Sequence, residues 1–245
     1  MREYGLIGYP LSHSFSQKYF TEKFQNESIE DAIFHAFSIP SIEGLEDVLK
    51  EHPSLKGFAI TIPYKKTIIP FLAEQSNAVK QTGACNCVKI DGKDLSGYNT
   101  DVVGFENTFI KHLQTQHTKA LILGTGGAAA AVEYVLQKLE LQYRFVSRNA
   151  NKEKNILGYE DLNDDVMKEY TVIINCTPVG TYPKADEAPA IPYDKITPSH
   201  YLFDLVYNPP LTKFLQLGQA KGAAIQNGYD MLVIQAEENW KIWNG

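Results

Sequence analysis

The sequence predicts an α/β protein of two domains, and three observations carry that expectation. Apolar, strand-like runs alternate with helix-like segments from Glu3 to Trp243, which implies parallel sheets with helices on their faces. The stretch Lys119-Ala-Leu-Ile-Leu-Gly-Thr-Gly-Gly-Ala-Ala-Ala-Ala131 reads as a buried strand, a tight glycine turn and the start of a helix. Near Asn99–Asp101 the first strand–helix block ends, and a helix Val102–Leu113 leads into the glycine block.

In the first block Glu3–Tyr9 is strand-like, Ser16–Gln25 helical and Ala32–Ser38 strand-like again. Ser41 is placed to cap a helix through Leu49, with Glu43 and Glu46 suiting its first turns. Leu55–Ile62 is a third strand ending at Pro63. A helix near Lys66–Ser76 follows, kinked or broken at Pro70. Ala84–Ile90 with the turn Asp91-Gly92 suggests a hairpin. In the second block the strands are Ala120–Leu123, Tyr143–Val146, Thr171–Cys176 and His200–Leu205, and Ala128–Leu139 is a strong helix former. The last segment, Gly228 to Trp243, is apolar at helical spacing (Met231, Ile234, Ala236, Trp240, Trp243), and its expected place is back on the first domain.

The glycine turn fits the G-x-G-x-x-A form of a Rossmann-type dinucleotide-binding fold through Gly124, Gly126 and Ala129. Gly124 permits the sharp turn, Gly126 lets backbone approach a pyrophosphate, and Ala129 allows close helix–strand packing. The helix N-terminus then offers free N–H groups and partial positive charge. The strand ending at Val146 runs into Ser147-Arg148-Asn149, with Lys152 shortly after, and carries no carboxylate to accept from a ribose 2′-hydroxyl. Arginine there pairs with a 2′-phosphate, so NADP is expected rather than NAD.

The chain has 245 residues, 44% apolar and 21% charged, with net charge −6, which argues against a nucleic-acid binder. The N-terminus lacks the apolar core of a signal peptide, and no apolar run approaches a membrane span, so a cytoplasmic protein is expected. Three cysteines, Cys85, Cys87 and Cys176, are too few for a disulfide framework, and reduced thiols without a metal site are the expectation.

A second set of residues carries chemistry. Ser12-His13-Ser14-Phe15-Ser16 puts hydroxyls at a helix start, where they hold an anion or simply cap. Lys65 stands just past a strand end, where open α/β sheets place ligands. Asn86 sits in a small-residue turn, and Asp101 stands near a helix start.

These motifs, in this order, resemble those of shikimate dehydrogenases over essentially the whole chain. The pieces are His13-Ser14-Phe15-Ser16, Thr61-Ile62-Pro63-Tyr64-Lys65, Gly83-Ala84-Cys85-Asn86, Asn99-Thr100-Asp101 and Gly124-Thr125-Gly126-Gly127-Ala128. Asn175-Cys176-Thr177-Pro178-Val179-Gly180, Asp204-Leu205-Val206-Tyr207-Asn208-Pro209 and Gly228-Tyr229-Asp230-Met231-Leu232-Val233-Ile234-Gln235 continue the series. The resemblance implies two α/β domains around a cleft: a substrate domain of residues 1–100 with 227–245, and an NADP-binding domain of residues 101–226. It implies reversible reduction of 3-dehydroshikimate to shikimate with NADPH, in aromatic amino acid biosynthesis. Lys65 and Asp101 become the catalytic pair, with Asp101 favouring the charged form of Lys65. Ser14 and Ser16 hold the substrate carboxylate, and Thr61, Asn86, Tyr207 and Gln235 its polar groups. The cofactor set comprises Gly124, Gly126, Gly127, Ala128, Ser147, Arg148, Asn149, Lys152, Thr177, Val206, Gly228 and Met231.

The chain departs from the family pattern at Gln17 (usually proline), Ala59 (commonly asparagine), Cys87 (commonly threonine) and on both sides of Arg148. None of these touches the catalytic pair. Two rivals stay open: an NAD-dependent quinate/shikimate dehydrogenase, and a non-catalytic NADP-binding regulatory protein. The chain is expected to act as a monomer or homodimer on a small molecule, with neither nucleic acid nor membrane as partner.

Overall fold

The computed structural model describes residues 1–11, 15–151, 153 and 156–245, which divide into two compact units. Met1–Thr100 with Gln235–Gly245 form one, and Asp101–Ile234 the other. The chain therefore leaves the second unit inside its last helix rather than at residue 227.

The first unit contains β1 (Arg2–Gly8), α1 (Phe15–Asn26), β2 (Ala32–Ser38), α2 (Leu45–Glu51), β3 (Leu55–Ile60), β4 (Glu74–Gln75), α3 (Asn77–Thr82), β5 (Cys87–Asp91) and β6 (Asp94–Tyr98). Its sheet runs β2-β1-β3-β5-β6-β4. The first three strands are parallel, and β5 is antiparallel to β3 and β6. Alternation fills both faces. Ile7, Phe58 and Ile60 pack with Leu45 and Val48 of α2, while Tyr4, Leu6, Phe34 and Ala59 pack with Phe20 and Phe24 of α1.

Two expectations here change. The stretch 66–76 is not one helix but a series of turns and a short 3₁₀ turn, Ile69–Phe71, before β4. Pro70 sits in the first positions of that turn, where its missing N–H costs nothing, and it cannot continue an α-helix. Ser41 opens a 3₁₀ turn, Ile42–Gly44, without a side-chain cap bond, and α2 starts after it.

The second unit contains most of α4 (Thr100–Phe109), then β7 (Lys119–Leu123), α5 (Gly127–Lys138), β8 (Gln142–Val146), β9 (Ile156–Leu157), α6 (Asp164–Glu169), β10 (Val172–Asn175), β11 (Tyr201–Asp204), α7 (Lys213–Gln219), β12 (Ala224–Gln226) and the start of α8 (Tyr229–Asn244). The strands pair in parallel throughout, in the order β9-β8-β7-β10-β11-β12. Numbered within the unit, that is 3-2-1-4-5-6, the doubly wound order of a dinucleotide-binding sheet. The continuous apolar runs of β7, β10 and β11 are buried throughout or nearly so, as strands covered on both faces require. Phe105 and Phe109 of α4 cover one face through ring contacts with Tyr201 and Phe203.

The C-terminal half of α8 closes the first unit, as its apolar spacing anticipates. Trp240 and Trp243 join Tyr4, Phe20 and Phe24 in one aromatic cluster, and Trp243 Nε1 donates to the Val88 carbonyl at 3.0 Å. Burying the Trp243 indole, with the partly buried Trp240 packed beside it, makes this helix an integral part of the core it returns to.

Candidate active site

In the second unit the described cofactor residues follow the carboxyl ends of neighbouring strands. Gly124–Ala128 follow β7, Ser147–Asn149 follow β8, Thr177 follows β10, Val206 follows β11, and Gly228 and Met231 follow β12. That is where an open parallel sheet binds ligands, and β7 and β10 flank the point where strand order reverses.

Gly124 has φ +97°, and a Cβ there would come within 2.9 Å of Thr177 Cγ2, so both conformation and contact require glycine. Gly126 and Gly127 differ. A Cβ on either meets nothing within 4 Å, and both are exposed at the N-terminus of α5. The glycines keep an open cradle in front of unbonded helix N–H groups, which suits a pyrophosphate. Ala129 is buried behind them, as close helix–sheet packing needs.

Arg148 is exposed at the end of β8, and among the described residues no carboxylate pairs with it. Burial raises the Tyr159 hydroxyl pKa and the charge of Arg148 partly offsets that, so the guanidinium lies within electrostatic reach of Tyr159. Ser147 Oγ accepts from the Asn149 backbone N–H at 3.2 Å and shapes the turn that presents Arg148. Lys152 lies outside the described residues.

Behind this rim lies a buried network outside the predicted site residues. Asp204, fully buried at the end of β11, accepts from Asn175 Nδ2 (2.9 Å), Thr212 Oγ1 (2.6 Å) and the Val206 N–H (3.0 Å). Asn175 Oδ1 in turn accepts from the N–H and hydroxyl of Thr177 at 3.0 and 2.6 Å. One carboxylate thus fixes the loops carrying Thr177 and Val206. Burial pushes its pKa up to about 6, against the three donors, which favour the charge. The available signal was the polar residue ending each apolar run, Val-Ile-Ile-Asn and Tyr-Leu-Phe-Asp. Gly228 is held against backbone: its added Cβ would come within 2.3 Å of the Leu205 carbonyl oxygen.

In the first unit the site residues are likewise at strand ends. Thr61 follows β3, and its N–H donates to the Ile7 carbonyl of β1 at 2.9 Å. The half-buried Lys65 lies in the next turn, where its carbonyl accepts from the Cys85 N–H at 2.7 Å, beside Asn86. Asn86 is 3% exposed, and its Oδ1 accepts from the Thr100 N–H at 2.7 Å, capping α4 from a distant turn. Thr100 Oγ1 donates to Asn239 Oδ1 at 2.6 Å, and Asn239 Nδ2 reaches Gln235 Oε1 at 3.4 Å. Asn86, Thr100, Asn239 and Gln235 therefore form one buried chain of polar side chains. Asn239 and Thr100 were not singled out beforehand, and their distance in sequence from Asn86 and from each other explains why. With one lone pair of its Oδ1 taken by the Thr100 N–H, Asn86 is held in place with its Nδ2 hydrogens left as donors. Ser16 is the second residue of α1, half-buried; Ser14, with Ser12 and His13, lies outside the described residues. The remaining two belong to the second unit: Asp101 is in the first turn of α4, and Tyr207 is partly exposed after β11.

Two of the departures from the family pattern prove to be one. Ala59 and Cys87 are directly opposed across β3 and β5, both buried in the same cluster as Ala236 and Trp243. In this chain the cross-strand pair is apolar. Burial pushes the Cys87 thiol pKa up, so it is an inert core residue.

A family model described as the shikimate dehydrogenase substrate binding domain matches residues 6–88. A curated relative from Methanosphaera stadtmanae, named shikimate dehydrogenase (NADP(+)), is 32% identical over 98% of this chain and 90% of its own length. The chain belongs to the shikimate dehydrogenase family. Its structural likeness is equally complete. A chorismate mutase/shikimate 5-dehydrogenase fusion protein from Clostridium acetobutylicum superposes with a TM-score of 0.88 at 33% identity, covering 100% of this chain and 91% of the other. A Thermus thermophilus shikimate 5-dehydrogenase, solved with NADP(H) and shikimate, gives 0.86 at 27% identity, covering 100% of this chain and 94% of the other. Among the described residues no helix is long and apolar enough to cross a membrane.

Proposed function

We propose that this chain is an NADP-dependent shikimate dehydrogenase, interconverting 3-dehydroshikimate and shikimate. The observation that supports the reading is that Thr61 and Lys65 follow β3 while Gly124–Ala128, Ser147–Asn149, Thr177 and Val206 follow β7, β8, β10 and β11, with Lys65 and Asp101 retained. Membership in a family whose full-length curated relatives bear that name supports it.

The second unit fits the cofactor. Gly126, Gly127 and the N-terminus of α5 would hold the pyrophosphate, and Arg148, with Ser147, Asn149 and Lys152, the 2′-phosphate. Thr177, Val206, Gly228 and Met231 would complete the seat. When bound, NADPH supplies hydride to the ketone carbon. Charge then develops on the ketone oxygen, and a donor must neutralise it. Lys65 stabilises that oxygen as an ammonium and supplies the proton, while Asp101 holds Lys65 in position and favours its charged form. Ser14 and Ser16 hold the carboxylate, while Thr61, Asn86, Tyr207 and Gln235 bind hydroxyls. A site made of hydroxyl partners rejects analogues lacking them. The same proposal places the enzyme in the cytoplasm, as a monomer or homodimer, in chorismate and aromatic amino acid biosynthesis.

The test is NADP⁺ reduction by purified protein, with shikimate and quinate compared. Strong preference for shikimate supports the reading. Preference for quinate moves the chain to the quinate-using branch, and no turnover with either favours a non-catalytic NADP-binding role.

A further inference from the structure

Apart from the residues assigned above, the first unit carries a cluster of metal-ligating side chains with no role in the proposed reaction. Glu3 of β1, His35 of β2 and His52, which caps the C-terminus of α2, bring one ligand atom each to within 4.8 Å of one another. The register explains the convergence. β1 and β2 are parallel with Gly5 opposite His35, so Glu3, two residues from Gly5, shares a face with His35. That face is the one α2 covers, and the end of α2 delivers His52 to it.

Glu3 Oε2 lies 2.6 Å from His52 Nδ1 and 3.0 Å from His35 Nε2. The first contact is a hydrogen bond, and it helps hold the Glu3 carboxyl below its usual pKa. The second is an ion-pair distance: buried His35 Nε2 lies beside the same carboxylate oxygen and has no other hydrogen-bond partner among the described residues. As neutral imidazoles, both rings carry a nitrogen lone pair that can ligate an ion. The rings are also fixed: Phe37 packs on His52 at 4.9 Å and on His35 at 5.5 Å between centroids, and the two imidazoles are 5.0 Å apart.

We propose that Glu3, His35 and His52 form a binding site for a divalent transition-metal ion, with Zn²⁺ the ion their ligand types favour. Two imidazoles and one carboxylate suit zinc, and three protein ligands leave a position for water. Glu3 needs only to open slightly from His52 for the ion to take the place of their shared proton. A bound ion would tie β1, β2 and the α2–β3 link together. The sequence pattern gave no hint of it, because the three ligands lie on separate elements without metal-site spacing.

The test uses tag-free, chelator-treated full-length protein titrated with Zn²⁺ by calorimetry. The expected result is one site per chain, with affinity at least tenfold weaker in both His35→Ala and His52→Ala. Absence of binding, or equal affinity in the double variant, overturns the proposal. Since either variant can fold poorly, zinc-edge anomalous maps of wild-type crystals soaked in Zn²⁺ decide independently. A peak about 2.0–2.2 Å from Glu3, His35 Nε2 and His52 Nδ1 supports the site. No peak there, or peaks only elsewhere, overturns it.

Discussion

The two units build their halves of the chemistry by opposite means. The second presents backbone: Gly124, Gly126 and Gly127 remove side chains so that helix N–H groups are exposed, and the side chains behind them serve to fix loops. The first presents side chains, held by a buried series of amides and one hydroxyl from Asn86 to Gln235. The difference teaches where specificity resides. Pyrophosphate is common to many ligands and is met by generic backbone, whereas a particular arrangement of hydroxyls needs particular side chains.

The largest expected effect breaks the comparison at its chemical end. Lys65→Ala should lower kcat by about two to four decades, the typical contribution of an acid–base group, with an unchanged circular dichroism spectrum. Near-wild-type turnover would remove Lys65 from the mechanism.

Asp204 tests the network behind the backbone half. Its folded pKa, about 6, lies above the ordinary aspartate value of 3.8, so the folded state favours the protonated form. The stability it contributes is fully present below about 3.8 and is lost as pH rises through about 6, by an amount on the order of 3 kcal/mol. Denaturant unfolding between pH 4 and 7 should show wild type losing stability relative to Asp204→Asn as pH rises. A difference independent of pH would contradict the burial argument.

The glycines separate fold from binding. Gly228→Ala drives a Cβ to within 2.3 Å of the Leu205 carbonyl oxygen and should cost about 1–3 kcal/mol, read as a lower Tm. Gly126→Ala meets nothing within 4 Å, so Tm should hold while NADPH affinity falls. If both variants lose stability alike, the open cradle is wrong.

How legible each half was follows from the same contrast. A glycine turn after an apolar strand is local, so β7, the turn and α5 were readable from Lys119 to Leu139 alone. The short edge strands β4, β9 and β12 have two or three residues each and carry no periodicity, so they were not. α6 and α7 were marked by their caps Asn163 and Thr212, a signal visible once sought. The first unit's polar network joins residues from 86 to 239; the small-residue turn pointed at Asn86, only the resemblance at Gln235, and nothing local at Thr100 or Asn239. Pairing across β3 and β5 is equally invisible in sequence, where Ala59 and Cys87 stand as separate departures.

That pair supplies the smallest effect. Ala59→Asn alone should bury an unpartnered amide beside Trp243 and lower stability. Adding Cys87→Thr should restore part of it, with a coupling of about 0.5–1 kcal/mol in a double-mutant cycle. Strict additivity would mean that the two positions do not act as a pair.

The most direct measurement is kcat/KM for shikimate oxidation with NADP⁺ and with NAD⁺, in wild type and in Arg148→Ala. The account predicts that wild type prefers NADP⁺, and that the variant loses most of that preference by slowing with NADP⁺ while its rate with NAD⁺ holds. Preference for NAD⁺ in wild type, or an unchanged preference in the variant, would contradict it.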